Sequence, residues 1–149
     1  MKTLTTLLLS GCTALLLFAG QAAAHCEIPC GVYDDAMRIR MILEHITTIE
    51  KSMNQILFHE KEQPHNPNQL VRWIVNKEQH ADELQEIVSQ YFMTQRLKPD
   101  MKNYQAMLGH LHEMLIYAMQ SKQTTDPANP ARLRELTAAF EALYFAKDN

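Results

Sequence analysis

Residues 34–60 read DDAMRIRMILEHITTIEKSMNQILFHE, a stretch in which apolar residues recur at alternating intervals of three and four. This spacing predicts an α-helix over the whole stretch, with a single apolar seam that must be buried. Asp34 is the expected N-cap, and Asp35 places a negative charge where it interacts favourably with the helix dipole. The seam consists of Ile39, Ile42, Ile46, Ile49, Met53 and Ile56.

Three further helices are predicted, over about 68–96, 100–122 and 129–147, the last with Asn129 as its cap and Pro130 at its first position. The connections between them are short, so neighbouring helices should be antiparallel. The expected fold is therefore all-α, an up-down-up-down four-helix bundle. The predicted buried positions are Leu70, Ile74, Ala81, Leu84, Val88 and Tyr91, then Tyr104, Met107, Leu111, Met114 and Ala118, and finally Leu133, Leu136, Phe140 and Leu143.

The seam of the second helix is interrupted, because Lys77, Glu78 and His80 stand where apolar residues would continue it. This interruption would be explained by a solvated face, by a contact between subunits, or by residues that support a nearby site. Several isolated histidines have simpler explanations. We expect His45, His59 and His65 at the surface or at an interface. His110 and His112 are two residues apart and would point in different directions on a helix.

Composition narrows the class of protein. The chain has 149 residues, which suits one domain, and its 14 basic and 17 acidic residues give a net charge of −3 at pH 7. This balance gives no reason to expect nucleic-acid binding. The only strongly apolar run lies near the N-terminus, so we expect no membrane span once that run is removed.

The N-terminal residues have the organisation of a signal peptide. Met1-Lys2 is basic, Leu7 to Phe18 is apolar, and Ala22-Ala23-Ala24 fits the small-residue cleavage rule. Cleavage after residue 24 would give His25 a free α-amino group and would direct the protein to the periplasm or outside the cell. A rival interpretation is a lipoprotein signal at Leu9-Ser10-Gly11-Cys12, which would lipidate Cys12 and leave His25 inside the chain.

Directly after this cleavage site, residues 25–33 read HCEIPCGVY. After cleavage they would offer an amine, an imidazole and two thiols within six residues. Nitrogen and thiolate donors in one plane favour Ni(II) or Cu(II). Pro29 restricts the intervening turn, and Gly31 tolerates the backbone conformations that a tight loop needs. In an oxidising compartment, however, Cys26 and Cys30 could instead form a disulfide.

The pattern His-Cys-x-x-Pro-Cys-Gly-x-Tyr resembles the nickel-binding hook of the nickel superoxide dismutases. Its fixed positions here are His25, Cys26, Pro29, Cys30, Gly31 and Tyr33. The resemblance implies a nickel hook over residues 25–33 before a four-helix bundle domain over 34–149. It also implies one nickel ion per subunit, held by His25, Cys26 and Cys30, and a homohexamer.

The implied activity is disproportionation of superoxide to dioxygen and hydrogen peroxide by cycling between Ni(II) and Ni(III). The family also includes members with a cytoplasmic propeptide, so a cytoplasmic protein after propeptide removal is the alternative location. Two other functions stay open. One is a non-catalytic periplasmic nickel- or copper-binding helical protein, and the other is a helical interaction module with a structural Cys26–Cys30 bridge.

Residues around the hook have predicted supporting roles. The Tyr33 hydroxyl would control access of small anions, and its ring would pack the hook onto the first helix. Glu27 stands where many family members have aspartate. In the family, a glutamate and an arginine of the bundle hold the axial imidazole. Counting along this sequence places Met41 near the position of the glutamate and His80 at the position of the arginine, so neither has a direct equivalent here. Glu44 or His80 would be the substitute.

Overall fold

The computed structural model of the protein describes residues 31–146. Within this range it contains α1 (Asp35–Lys61), α2 (Pro67–Glu86), α3 (Tyr104–Gln123) and α4 (Ala128–Tyr144). A π-helical segment, Ile87–Arg96, continues α2. α1 packs against α2 and α4, and α3 packs against the same two helices. The all-α four-helix bundle is therefore confirmed.

Contacts between helix ends establish the direction of the helices. Asp35, the first residue of α1, contacts Arg96 at the end of the π-helical segment and Tyr144 at the end of α4. Lys77 of α2 contacts the backbone of Ser121 near the end of α3. Neighbouring helices are therefore antiparallel, as the short connections predicted.

The seam of α1 is buried as predicted, because each of its six apolar side chains is at most 4% exposed. A polar oxygen also caps this helix as expected, since the Met37 backbone N–H donates to Asp34 Oδ1 at 2.8 Å. The opposing seams of α3 and α4 complete the core with Met107, Leu111, Met114, Ala118, Leu133, Leu136 and Phe140. Tyr104 and Leu143, at the outer ends of these seams, are half-buried and pack against the core.

The prediction for the second helix is wrong at the start of its seam and in the type of helix at its end, whereas the later seam positions, Ala81 to Tyr91, are buried as predicted. Leu70 is only half-buried and Ile74 is 39% exposed, so the core begins at Ala81. The last ten residues are π-helical rather than α-helical. In a π-helix the backbone hydrogen bond spans five residues, as in the 2.8 Å bond from Leu97 N–H to the Phe92 carbonyl.

Lys77 does not lie on a solvated face, since it is 4% exposed. Its Nζ donates to the carbonyl oxygens of Ser121 at 2.8 Å and Thr124 at 3.4 Å, and also to that of Lys122. The last carbonyls of a helix have no partner within the helix, and they carry the negative end of its dipole. The lysine therefore interrupts the apolar seam because it caps the C-terminus of α3.

Two predicted helix starts are also wrong. α3 begins at Tyr104 rather than near residue 100, after a turn in which Asn103 has a φ of 60°. α4 begins at Ala128, and Asn129 lies inside the helix, where its side chain donates to Thr124 Oγ1. Pro127 occupies the N-cap position and makes no side-chain cap, while Asp126 Oδ1 in the preceding turn accepts from the Ala128 N–H at 2.9 Å. No helix within residues 31–146 is long and apolar enough to cross a membrane.

Candidate functional site

The described chain begins at the last residues of the predicted hook. His25, Cys26, Glu27 and Cys30 lie outside the described residues, so their predicted roles stay predictions. Gly31 has a φ of 72°, a left-handed conformation that disfavours residues with a side chain. This backbone conformation explains why glycine suits the turn, as the sequence predicted. Val32 follows with 78% of its surface exposed.

Tyr33 packs its ring on the bundle while remaining 43% exposed. The Arg96 guanidinium carbon lies 4.2 Å from the centroid of this ring, within the range of a cation–π interaction. The Tyr91 ring lies edge-on to it, with 6.0 Å between centroids. The prediction placed this ring on the first helix, whereas both contacts are to the π-helical segment that continues α2. The predicted role of the Tyr33 hydroxyl in small-anion access stays a prediction.

Two residues after Tyr33, the Asp35 carboxylate accepts hydrogen bonds from three side chains that are distant in sequence. We call Asp35 and these three residues the Asp35 anchor. Arg96 donates in bidentate fashion, from Nε at 2.8 Å and Nη2 at 2.7 Å. The Tyr91 and Tyr144 hydroxyls donate at 2.5 Å and 2.9 Å. The anchor ties the first turn of α1, which follows Tyr33, to the π-helical segment and to the end of α4.

The electrostatics of the anchor follow from these bonds. Burial alone would raise the pKa of Asp35, but hydrogen bonds from Arg96, Tyr91 and Tyr144 outweigh it and lower this pKa from 3.8. Burial, and then the hydrogen bond to the Asp35 carboxylate, raise the pKa of Tyr91 to about 12. The same causes raise the pKa of Tyr144 to about 12. At neutral pH the anchor is one ion pair with two neutral phenols.

The π-helical segment is what brings Tyr91 and Arg96 to the same carboxylate. Residues five apart lie far from each other around an α-helix, but they nearly align on the wider turn of a π-helix. Sequence reasoning treated Tyr91 as a core residue and Arg96 as a helix end, and it missed the anchor. No local signal in residues 87–96 distinguishes a π-helix from an α-helix.

A second polar cluster joins α1 to α2, formed by His45, His80 and Glu83. The two Nδ1 atoms of the histidines are 2.9 Å apart. Glu83 Oε2 lies 3.4 Å from Nδ1 of His45 and 3.6 Å from Nδ1 of His80. Within residues 31–146 this is the one group of three or more His, Cys, Asp or Glu side chains whose donor atoms converge closely enough for a metal ion.

His45 was expected at the surface or at an interface, but it is buried between α1 and α2 within the chain, with 9% of its surface exposed. Burial lowers the pKa of His45, the Glu83 carboxylate partly opposes this shift, and the neighbouring His80 adds to it. The cluster borders a shallow surface depression that Met41, Asp82, Glu86 and Ile87 also line. The low pKa means that His45 is predominantly neutral at pH 7.

Glu44 and His80, the two residues proposed to hold the axial imidazole of His25, lie in different surroundings. His80 is half-buried in the cluster with His45 and Glu83, and Met41 borders the same depression. Glu44 is exposed and is not one of the three converging groups. His59 and His65 are elsewhere, with His59 Nδ1 2.7 Å from Glu62 Oε2 and His65 beside Gln63.

Comparisons with known proteins agree with the resemblance seen in residues 25–33. The sequence model described as nickel-containing superoxide dismutase matches residues 20–148. A relative, "Superoxide dismutase [Ni]" of Streptomyces seoulensis, is 27% identical over 131 residues, which cover 84% of this chain and 88% of that protein. No solved structure matches significantly. Because the match to the family extends from the predicted hook almost to the C-terminus, the chain belongs to the nickel-containing superoxide dismutase family.

Proposed function

We propose that His25, Cys26 and Cys30 hold one catalytic nickel ion in each subunit and that superoxide is converted there to dioxygen and hydrogen peroxide. Membership of the family is the observation that carries this proposal, because it makes the protein a nickel-dependent superoxide dismutase. A non-catalytic nickel- or copper-binding protein is not favoured by the same match. The ligand assignment rests on the motif in residues 25–33.

The donor set suits nickel. Two thiolates, an amine and an imidazole are nitrogen and sulfur donors of the kind that planar Ni(II) takes. When bound, nickel supplies one-electron redox chemistry between its II and III states. Cys26 and Cys30 must be reduced and deprotonated to bind, so a disulfide between them would compete with the metal. His25 supplies its amine only after the bond from Ala24 has been cut.

Substitution of the two cysteines tests the ligand assignment. Cys26→Ser and Cys30→Ser should each abolish nickel binding and dismutase activity, while circular dichroism still reports a folded bundle. Cys12→Ser is the matched control, because Cys12 would leave with the leader and its loss should keep full activity. A fully active Cys26→Ser or Cys30→Ser protein would overturn the assignment.

Residues 1–24 are proposed to be a signal peptide that exports the protein to the periplasm. The organisation of the leader supports this, and the requirement for a free amine on His25 makes cleavage part of the mechanism. Mass spectrometry of the purified protein should show a chain that begins at His25, in the periplasmic fraction. A chain that begins at a lipidated Cys12, or a mature protein in the cytoplasm, would contradict it.

Tyr33 is proposed to act beside the nickel as the residue that limits access of small anions. Two observations support this role. Tyr33 lies three residues after Cys30, and Arg96 contacts its ring while part of the side chain stays exposed. Tyr33→Phe keeps the ring contacts and removes only the hydroxyl. Nickel content should therefore be unchanged while inhibition by small anions such as azide changes, and identical inhibition would contradict the role.

Association of several copies is the last part of this proposal, with a homohexamer implied by the family resemblance. The first half of α2 supports it, because Val71, Ile74 and Val75 are 56%, 39% and 57% exposed and lie within two turns of the same helix. Apolar side chains grouped in this way commonly mark a contact between subunits. Sedimentation equilibrium should give a hexamer for the native chain and smaller species for Val71→Glu/Val75→Glu, whereas a monomeric native chain would overturn it.

A further inference from the structure

The His45–His80–Glu83 cluster places three metal-binding atoms together, and none of the three residues is among the proposed nickel ligands His25, Cys26 and Cys30. His45 comes from the middle of α1, whereas His80 and Glu83 are three residues apart on one face of α2. Both helices are held in the bundle core by neighbouring residues such as Ile46 and Leu84. The three side chains are therefore positioned by well-packed helices rather than by a loop.

The dimensions of the cluster fit a first-row divalent cation. The three atoms form a triangle with sides of 2.9, 3.4 and 3.6 Å. An ion about 2.0–2.1 Å from every corner, the usual distance for zinc with imidazole and carboxylate ligands, fits about 0.7 Å above the plane of such a triangle. Three ligands on one side of the ion leave another position open for water.

Without a cation, the three facing atoms of the cluster have fewer hydrogens than lone pairs. Two Nδ1 atoms that face each other at 2.9 Å can share only one proton, since two would bring N–H groups into collision. The Glu83 carboxylate lies beside them as an acceptor and adds a negative charge. A divalent ion would replace the shared proton and would give a partner to a lone pair of each of the three atoms.

We propose that His45, His80 and Glu83 form a second metal site, made of residues other than those of the hook, for a borderline divalent cation such as zinc. Two imidazoles and one carboxylate are among the ligand sets that zinc takes in proteins. The bordering depression provides the route by which the ion enters. Glu86, a further carboxylate on its wall, favours the approach of a cation.

The test needs a chain in which the hook cannot bind metal, and His25→Ala/Cys26→Ser/Cys30→Ser provides it. Isothermal titration of this full-length variant with zinc should give one saturable site per chain. Adding His80→Ala should weaken zinc binding at least tenfold. The matched control is His112→Ala, which removes an exposed histidine on α3 and should leave binding unchanged. Circular dichroism of each variant checks that the bundle is folded.

A second measurement identifies the ligands. X-ray absorption of the zinc-loaded variant should show a nitrogen and oxygen shell with an imidazole pattern and no sulfur. Glu83→Gln, which keeps the shape of the side chain, should also weaken binding. No saturable zinc binding, or equal losses in His80→Ala and His112→Ala, would overturn the proposal. Because the hook is disabled throughout, these outcomes are independent of the catalytic nickel.

Discussion

The Asp35 anchor and the His45–His80–Glu83 cluster both tie α1 to the helix that follows it, but their chemistry is opposite. In the anchor, one carboxylate meets a guanidinium and two hydroxyl donors, so donors and acceptors are matched. In the cluster, two histidine nitrogens and a carboxylate face one another, and acceptors outnumber donors. The matched network holds a helix end in place, whereas the unmatched one is suited to capture a cation.

Position along α1 agrees with this division. The anchor lies in the first turn, directly after Tyr33, where the proposed hook joins the bundle. The cluster lies about ten residues further along, on the wall of an open depression. Structural and binding functions therefore occupy different turns of one helix. Four predictions test how far this contrast extends, beginning with the largest expected effect.

Replacing the acceptor at the centre of the anchor should be the most damaging change. Asp35→Ala leaves the Arg96 charge and two phenol hydroxyls without their partner, and loss of one member of a buried ion pair costs about 3–5 kcal/mol. Because Arg96 keeps some solvent contact, we expect a decrease near the lower limit, about 3 kcal/mol, in the free energy of unfolding measured with urea.

Asp82→Ala is the matched control for that measurement. Asp82 accepts from Lys122 Nζ at 2.6 Å, but its side chain is 65% exposed. Exposed ion pairs are worth about 0–1 kcal/mol, so this variant should be nearly as stable as the native protein. Equal losses in the two variants would show that the anchor is an ordinary surface pair.

Acid should remove the contribution of the anchor in a predictable pH range. The pKa of Asp35 is lowered in the folded protein, so the carboxylate contributes its full stability above its ordinary pKa of 3.8. That contribution is lost as the pH falls below 3.8 and through the lower pKa of the folded state. The difference in unfolding free energy between the native protein and Asp35→Asn should therefore be constant near neutrality and should decrease below about pH 4. A difference independent of pH would contradict the lowered pKa.

A smaller effect is expected from one hydroxyl of the anchor. Tyr91→Phe removes the 2.5 Å hydrogen bond to Asp35 and keeps the ring contacts with Tyr33 and Phe92. Hydrogen bonds to a charged group are worth about 1.5–3 kcal/mol, and here Arg96 and Tyr144 still satisfy the carboxylate, so we expect a loss of about 1.5 kcal/mol. Tyr117→Phe, at a hydroxyl with no hydrogen-bond partner within residues 31–146, should change the urea midpoint little. A loss no larger for Tyr91→Phe than for this control would contradict the prediction.

The sequence predicted the parts of this molecule that depend on periodicity along one helix. Ile39 to Ile56 alternate at helical spacing, and burial of that face follows from the hydrophobic effect alone. The hook motif was equally visible, because its donors lie within a few residues of one another. Both depend on short-range order, so a single sequence was enough to find them.

The parts that were missed depend on how helices meet. His45 and His80 are 35 residues apart in sequence, and only the register between α1 and α2 brings their rings together. Lys77 interrupts the seam of α2 because its Nζ donates to a backbone carbonyl at the end of α3. The Asp35 anchor additionally requires a π-helical segment, which hydrophobic periodicity does not reveal. Local sequence patterns do not reveal tertiary contacts of this kind.

The smallest effect should come from the cluster when metal is absent. His80→Ala removes one hydrogen bond, worth about 0.5–1.5 kcal/mol, and His45 keeps Glu83 at 3.4 Å as another partner. We therefore expect the free energy of unfolding in the presence of a chelator to fall by less than about 1 kcal/mol, close to the change for the exposed His112→Ala. A loss as large as that of Asp35→Ala would mean that the histidine pair is a structural contact and would remove the contrast between the two regions. In the hook-disabled chain, added zinc should stabilise the parent and the His112→Ala variant but not His80→Ala, because only a site that binds the folded state raises its stability.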